Sequence, residues 1–528
     1  MSDTVASLLA RRATTDPEGT FLVHSRGLMT FGEVDAQAEA LAASLAGLGI
    51  EAGDRVAVVM PPWTEFVVSM FALAKIGAVM VPLNPHLTRP ELQYMLRHSE
   101  AVAAITAETL GDVDFLQLFE ELLTHLPEMQ YLVTVGEEDL WYDDRVFQFE
   151  DLVSAGAGRD FAGPDLEPAS DVFAILYTSG TTGKPKGVSL THANLLSVAE
   201  ATAEAVGLTG DDLVIGLTAL HHVFGLGPGL LGCLHAGAGL ILQEGFDARE
   251  TLDLVERHLA TVHYGVPTLF VTELHEQERL PRNLASLRRG LVAGAPVSDD
   301  LVREVESTLV PELLTAYSMT EASATVSMTV PDDPPEKRRQ TVGRPLPGTE
   351  VRILDQDGTV LPAESVGEIA VRGPGVMQGY YRQPRETANW IDGEGFLLTG
   401  DLGLLDEDGY LHLVGRRKEV IIRAGFNVYP REVEDRIRSH PAVIEAAVVG
   451  VPDDVLGEAI CACIVPVEGA IVSESEIRDW CLVTLADYKV PDRVRILDEL
   501  PLTGTGKVRR VELARLVNEC EPDGHDAS

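Results

Sequence analysis

The chain has 528 residues, of which 45% are hydrophobic and 23% charged, enough apolar surface for more than one core and a balance that excludes a disordered or fibrous protein. A formal net charge of −41 repels phosphate backbones and anionic headgroups, so nucleic acid and membrane surfaces are excluded as bulk electrostatic partners and any phosphate site must be built locally. Five cysteines, an odd number scattered along the sequence, argue against a disulfide framework and for a reducing compartment, the cytoplasm.

The first residues are polar and lack the basic start, apolar run and cleavage site of an export signal. Alternation then begins: a β-branched run at Arg55 to Met60, a helical pattern at Glu65 to Ile76 and a second apolar run at Val79 to Leu83. Repeated strand and helix patterns of this kind predict α/β layers with a largely parallel sheet. The longest apolar stretches, Phe66 to Leu83 and Gly225 to Leu242, are interrupted by Lys75 and by Pro228 with several glycines, so they read as core rather than as membrane spans.

The run Val172 to Tyr177 predicts a buried strand that delivers the chain into Thr178, Ser179, Gly180, Thr181, Thr182, Gly183, Lys184, Pro185, Lys186 and Gly187. Glycines let backbone N–H groups converge on an anion, hydroxyls add donors, and the lysines supply charge that the rest of the chain lacks. The spacing is not that of a Walker A loop, because Lys184 is followed by Pro185 rather than by Ser or Thr.

From about Thr341 the texture changes to short strands punctuated by Asp-Gly and Pro-Gly turns, which predicts a β-rich subdomain over about 341–415. The charged segment Gly415-Arg416-Arg417-Lys418 separates it from a new strand and helix pattern, and the remaining residues predict a compact α+β domain. The expected organisation is therefore an N-terminal domain at 1–417 and a small C-terminal domain at 418–528. Cys461 and Cys463, two apart in an apolar run, are expected to pack on one face of a strand in the core.

The string YTSGTTGKPKGV, with Thr191-His192-Ala193-Asn194-Leu195 after it, resembles the signature of the adenylate-forming superfamily, which includes acyl-CoA synthetases, luciferase-like enzymes and peptide-synthetase adenylation domains. The resemblance extends in order along nearly the whole chain: Ala74 to Pro85, Ala293-Gly294-Ala295-Pro296-Val297, Ala316-Tyr317-Ser318-Met319-Thr320-Glu321, Thr399-Gly400-Asp401, Gly415 to Lys418, and Pro501 to Lys507. It implies ATP-dependent activation of a carboxylic acid to an acyl-adenylate, with Mg²⁺ as the metal. Transfer of the acyl group to coenzyme A would follow, or transfer to a carrier protein, an amine or another acceptor. A luciferase-like oxygenase and a nucleotide-binding protein without chemistry are the other readings. The second of these would show damaged motifs, and Lys507, Glu321, Asp401 and Arg416 are all present.

An anion attacking an anionic α-phosphate demands charge neutralisation and positioning. By the resemblance, Thr178 to Gly183, Lys186, Gly294, Ala295, Pro296 and Ala316 to Thr320 bind the nucleotide. Glu321 offers hard oxygen ligands suited to Mg²⁺, and Thr320 can donate to a phosphoryl oxygen. Asp401 and Arg416 would hold the ribose, and Lys507 would neutralise both the attacking carboxylate and the α-phosphate. His222 stands where the family places a gate beside the reacting carboxylate, with His221, Phe224, Gly225 and Gly294 expected around the acyl group and the following glycines leaving room for its tail. No Asp lies in this stretch to pair an α-ammonium, which favours an acid that is not an amino acid. The resemblance further implies a domain rotation about Lys418 that exchanges Lys507 for the thiol-side segment carrying Gly425 and Phe426. Pairing of two copies as a homodimer is compatible with all of this.

Overall fold

The computed structural model describes residues 3–136, 144–178, 184–216, 219–453, 455–467, 469–501 and 508–519. The chain divides into two compact units, Met1–Val351 with Val371–Leu397, and Arg352–Ala370 with Leu398–Ser528. The division is interleaved, with Arg352–Ala370 grouped with the residues from Leu398 onward.

The α/β expectation holds in the larger unit, which contains an eight-stranded and a nine-stranded sheet. In the eight-stranded sheet Val172–Thr178, Val79–Leu83, Arg55–Val59, Ala103–Ala107, Tyr131–Val135 and Val146–Gln148 run parallel, and Lys186–Thr191 and Gly379–Tyr380 add antiparallel strands at one edge. The apolar stretch at Phe66 folds as the buried helix Thr64–Ile76, stopped by Gly77 in a left-handed conformation (φ 79°) and followed by the strand Val79–Leu83. Lys75 is accommodated by an ion pair with Asp35 at 2.7 Å. No helix among the described residues is long and apolar enough to cross a membrane.

The nine-stranded sheet carries a parallel series, Leu313–Met319, Arg289–Val292, Val262–Gly265, Leu213–Ile215, Gly239–Ile241 and Thr20–His24. Ligand sites in such sheets lie beyond the carboxyl ends of the strands, where the connecting turns collect. The turns at Gly294 and Thr320 both leave this sheet at those ends.

The β-rich region forms a four-stranded sheet of Glu350–Leu354, Gly367–Arg372, Leu397–Leu405 and Leu411–Arg416, and the unit boundary passes through three of these strands. In the smaller unit a second sheet is built from Phe426–Val428, Ile421–Arg423, Gly457–Pro466 and Val443–Asp453, with Arg493–Ile496 parallel to Gly457–Pro466. Its two faces bury separate apolar clusters. Cys461 and Cys463 lie in one of them with Leu500, Leu513 and Val517, as core side chains.

Candidate functional site

Thr178 is the last residue of Val172–Thr178, and the antiparallel register pairs it with Lys186 and pairs Tyr177 with Gly187. The phosphate-loop sequence therefore joins two adjacent strands, one place in from the edge strand Gly379–Tyr380. Ser179, Gly180, Thr181, Thr182 and Gly183 lie outside the described residues. After the second strand, the Thr191 hydroxyl caps the helix His192–Val206 by accepting from the Asn194 N–H, and Asn194 answers to the Thr191 N–H. This reciprocal cap explains the Thr-His-Ala-Asn string as a helix start.

Lys186, expected on nucleotide, is only 7% exposed and its ammonium is bound to the Glu386 carboxylate. It also lies 5.0 Å from the ring centre of Tyr380 and 5.1 Å from that of Trp390. The hydrogen bond from Lys186 holds the Glu386 carboxyl below its ordinary range. Trp390 Nε1 donates to the same carboxylate at 3.2 Å. The Lys186 charge is thus balanced inside the protein, where it braces the base of the loop.

Ala316, Tyr317, Ser318 and Met319 end the strand Leu313–Met319, and Thr320 to Ala322 form a tight 3₁₀ turn. Ser323 and Ala324 then take positive φ (58° and 95°), which reverses the chain. The Ser323 hydroxyl donates to the Gly375 carbonyl at 2.7 Å, and Met377 N–H donates to the Glu321 carbonyl at 2.9 Å. The Glu321 carboxylate accepts from the Tyr380 hydroxyl at 2.9 Å. Burial, and next the Glu321 charge, push the Tyr380 phenol far up, so it stays a donor. Tyr380 therefore joins two motifs: its ring lies against Lys186 and its hydroxyl anchors Glu321.

Gly294 follows Arg289–Val292 with φ 85°, a value that an L side chain rarely adopts, and a Cβ there would come within 3.4 Å of Val266. Ala295 and Pro296 beside it are exposed. His221 and His222 precede a π-helix at Gly225–Leu231. Burial, and next His222, bring the His221 pKa down to about 3, which keeps that ring neutral. His222 Nδ1 accepts the Phe224 N–H at 3.3 Å, and Phe224 stacks on Tyr264 at 5.8 Å. Gly225 is required by close packing: a Cβ would stand 2.4 Å from the Ala219 carbonyl. Its missing side chain admits the Ala219–Leu220 backbone.

In the smaller unit, Asp401 and Arg416 are cross-strand partners, with Arg416 Nε 3.0 Å from Asp401 Oδ1. Gly400 (φ 71°) donates its N–H to Glu368 at 3.0 Å, and Arg417 pairs with the other oxygen of Glu368 at 2.5 Å. Lys418 sits in the 3₁₀ turn Arg417–Glu419. Glu419 is 3.1 Å from Arg510, which is also paired with Glu434 at 2.6 Å. Gly425 (φ 83°) closes the hairpin between Ile421–Arg423 and Phe426–Val428, and Phe426 is exposed and stacked on Tyr488 at 4.8 Å. Lys507 lies outside the described residues.

Sequence reasoning brought Thr178 and Glu321 forward and missed what connects them. Tyr380 lies 59 residues from Glu321 and Glu386 lies 200 residues from Lys186, and no local spacing marks either pairing.

The family pattern described as "AMP-binding enzyme" matches residues 9–381, and "AMP-binding enzyme C-terminal domain" matches 432–507. The chain belongs to the AMP-binding enzyme family. A Rhodococcus jostii (strain RHA1) relative, named 3-[(3aS,4S,7aS)-7a-methyl-1,5-dioxo-octahydro-1H-inden-4-yl]propanoyl:CoA ligase, is 36% identical over 96% of this chain and 97% of its own. A long-chain-fatty-acid–CoA ligase of Bacillus subtilis (strain 168) is 32% identical over 99% of this chain and 95% of its own. Among solved structures, ATP-bound MatB from Rhodopseudomonas palustris superposes with a TM-score of 0.87 at 32% identity, covering 97% of this chain and 99% of that one. The α/β architecture with a small C-terminal domain is thus that of this AMP-binding family.

Proposed function

We propose that the chain is an AMP-forming acid–thiol ligase, which activates a carboxylic acid other than an amino acid with ATP and then passes the acyl group to coenzyme A. One observation carries the reading: the Tyr380 hydroxyl holds the Glu321 carboxylate while its ring lies against Lys186, so the acid proposed as metal ligand is tied to the strand that follows the proposed phosphate loop. Family membership and the relatives' names support the reaction class.

In the first step a carboxylate oxygen attacks the α-phosphorus of ATP, the α–β P–O bond breaks and pyrophosphate leaves. Thr178 to Gly183 would cradle the phosphates, and Thr320 would donate to a phosphoryl oxygen. Mg²⁺, when bound, supplies charge neutralisation on the phosphates. A carboxylate with one oxygen held by a phenol suits a metal that keeps several of its waters, so Glu321 is its proposed ligand. Lys507 would neutralise the charge that builds up between the two anions. Asp401 and Arg416 would bind the ribose. His222 would stand beside the reacting carboxylate.

In the second step the thiol sulfur attacks the acyl carbonyl carbon, the carbon–oxygen bond to AMP breaks, and the thiol proton is released. Lys418 is the proposed pivot between steps, with Gly425 and Phe426 on the thiol side. Domain limits of 1–417 and 418–528 belong to this working scheme. The described cysteines, all free and buried, fit a reducing compartment and our assignment to the cytoplasm.

A panel of fatty, aromatic and polycyclic acids tests the proposal. Acid-dependent pyrophosphate release followed by acyl-CoA formation supports it. Release without acyl-CoA, but with acylation of a carrier protein, overturns the acceptor assignment. Release with amino acids alone overturns the substrate class.

A further inference from the structure

Beside Tyr177 and Pro185, the described ends of the phosphate-loop sequence, lies a cluster presented by residues that belong to none of the sequence motifs. It is presented by the helix Arg89–Ser99, which starts at a Thr88–Glu91 capping box and ends at Glu100 in a left-handed conformation (φ 54°). Leu92, Met95, Leu96 and Ser99 bury one face of this helix in the core. Tyr94 and His98, one turn apart, share the flank beside it.

Each of the two side chains reaches one root of the loop. The Tyr94 hydroxyl donates to the Pro185 carbonyl at 3.2 Å, and its ring carries the Lys184 ammonium at 5.8 Å. These contacts hold the strand-entry side. His98 Nδ1 is 2.8 Å from the Tyr177 hydroxyl, which donates to the Met95 carbonyl at 3.1 Å. These hold the residue immediately before Thr178.

The polar contacts around His98 have a single consistent direction. Tyr177 spends its one proton on Met95, so His98 Nδ1–H donates to the Tyr177 oxygen. His98 Nε2 is then the acceptor and takes the Gln383 amide N–H at 3.4 Å. A neutral imidazole is required for this relay, and burial, with Arg382 nearby, lowers the His98 pKa accordingly. Three rings close the cluster: His98 stacks on Tyr94 at 5.6 Å and meets Tyr177 and Tyr381 edge-on at 5.7 and 6.0 Å.

We propose that Tyr94 and His98 are positioning residues for ATP binding, which clamp Pro185 and Tyr177, the two roots of the phosphate loop, to one helix. Glycine-rich backbone loses more freedom on being fixed than any other. Fixing both roots in advance removes part of that loss from the binding step. The inference rests on the reading of this loop as the phosphate site.

The test uses the full chain and titrates ATP alone, with no acid present. His98→Leu removes the donor to Tyr177 and should weaken ATP binding by roughly tenfold. Tyr94→Phe removes a single oxygen and should weaken it roughly threefold. His98→Asn places an amide donor close to the Nδ1 position and should restore affinity to within about twofold of the unaltered chain. In steady state the KM for ATP should rise while the KM for the acid moves much less.

Unchanged ATP affinity in His98→Leu overturns the clamp, as does equal loss in the Leu and Asn variants or a parallel rise in both KM values. If His98→Leu does not fold, Tyr94→Phe decides by the same criteria. Absence of acid-dependent pyrophosphate release from the unaltered chain would overturn the adenylation reading instead, because the ATP titration judges the clamp by itself.

Discussion

The polar groups of the larger unit and those of the smaller one are held differently. Lys186 is 7% exposed and its partner Glu386 comes from 200 residues away, with Tyr380 carrying the connection onward to Glu321. In the smaller unit Asp401 meets Arg416 across adjacent strands, and the arginine side chains at 416 and 417 are 46% and 67% exposed. Buried partners fix a cradle before ligand arrives, at the cost of mobility. In the smaller unit the arginine ends are solvated while Asp401 and Glu368 are only 13% and 10% exposed, so the pairs are screened on the arginine side alone, which suits a segment proposed to change partners between two steps. The comparison implies that damage in the larger unit should appear as lost stability or lost binding, and damage in the smaller unit as a split between half-reactions.

The largest expected effect lies deep in the larger unit. His263 faces Glu273 at 3.0 Å and the Tyr264 carbonyl at 3.1 Å, with both side chains of the pair essentially unexposed. Burial acts to lower the His263 pKa, but the Glu273 charge and hydrogen bond outweigh it and raise the value above 6.5. The protonated pair therefore stabilises the fold fully below pH 6.5, and the contribution is lost as pH rises through the higher folded-state value. Glu273→Gln should cost about 3 to 5 kcal/mol and flatten that part of the pH dependence in thermal unfolding. A variant with unaltered Tm at pH 6 would contradict the role of the pair.

Next comes Lys507→Ala, the sharpest test of the smaller unit. Loss of one charge-stabilising group should cost about 2.7 to 4 kcal/mol, a hundredfold or more in acid-dependent pyrophosphate release. Transfer from purified acyl-adenylate to coenzyme A should slow far less, and equal losses would break the proposed division of labour. Glu321→Gln keeps the shape and removes the charge, so adenylation should fall roughly thirtyfold, about 2 kcal/mol. Its Mg²⁺ requirement should rise, and an unchanged metal titration would count against the ligand assignment. Smallest is Lys418→Pro, which restricts the backbone without touching substrate. Adenylate formation should persist while acyl transfer slows about tenfold, or about 1.4 kcal/mol, in single-turnover assays.

The sequence was informative where a residue acts through its neighbours in the chain. Alternating runs marked the strands Arg55–Val59, Val79–Leu83 and Val172–Thr178 and the helix between the first two. It was silent where a residue acts through a distant partner. Nothing near Lys186 in the chain marks Glu386 and Trp390 as its partners, and Tyr380 has no spacing relation to Glu321. The close approach of the Ala219 backbone to Gly225 was likewise hidden, because a glycine in sequence records a missing side chain and not what packs against it. The interleaved unit boundary was hidden for the same reason: strand pairing joins Arg352–Ala370 to residues after Leu398.

In the proposed reaction the acid is activated by attack of its own carboxylate oxygen on the α-phosphorus of ATP. Turnover of an acid doubly labelled with oxygen-18 in its carboxyl group, with ATP and coenzyme A, tests this directly by mass spectrometry of the products. If the account is right, one labelled oxygen appears in AMP, the other stays in the thioester, and the pyrophosphate is unlabelled. Label in inorganic phosphate with ADP as co-product, or thioester formation with unlabelled AMP, would contradict it.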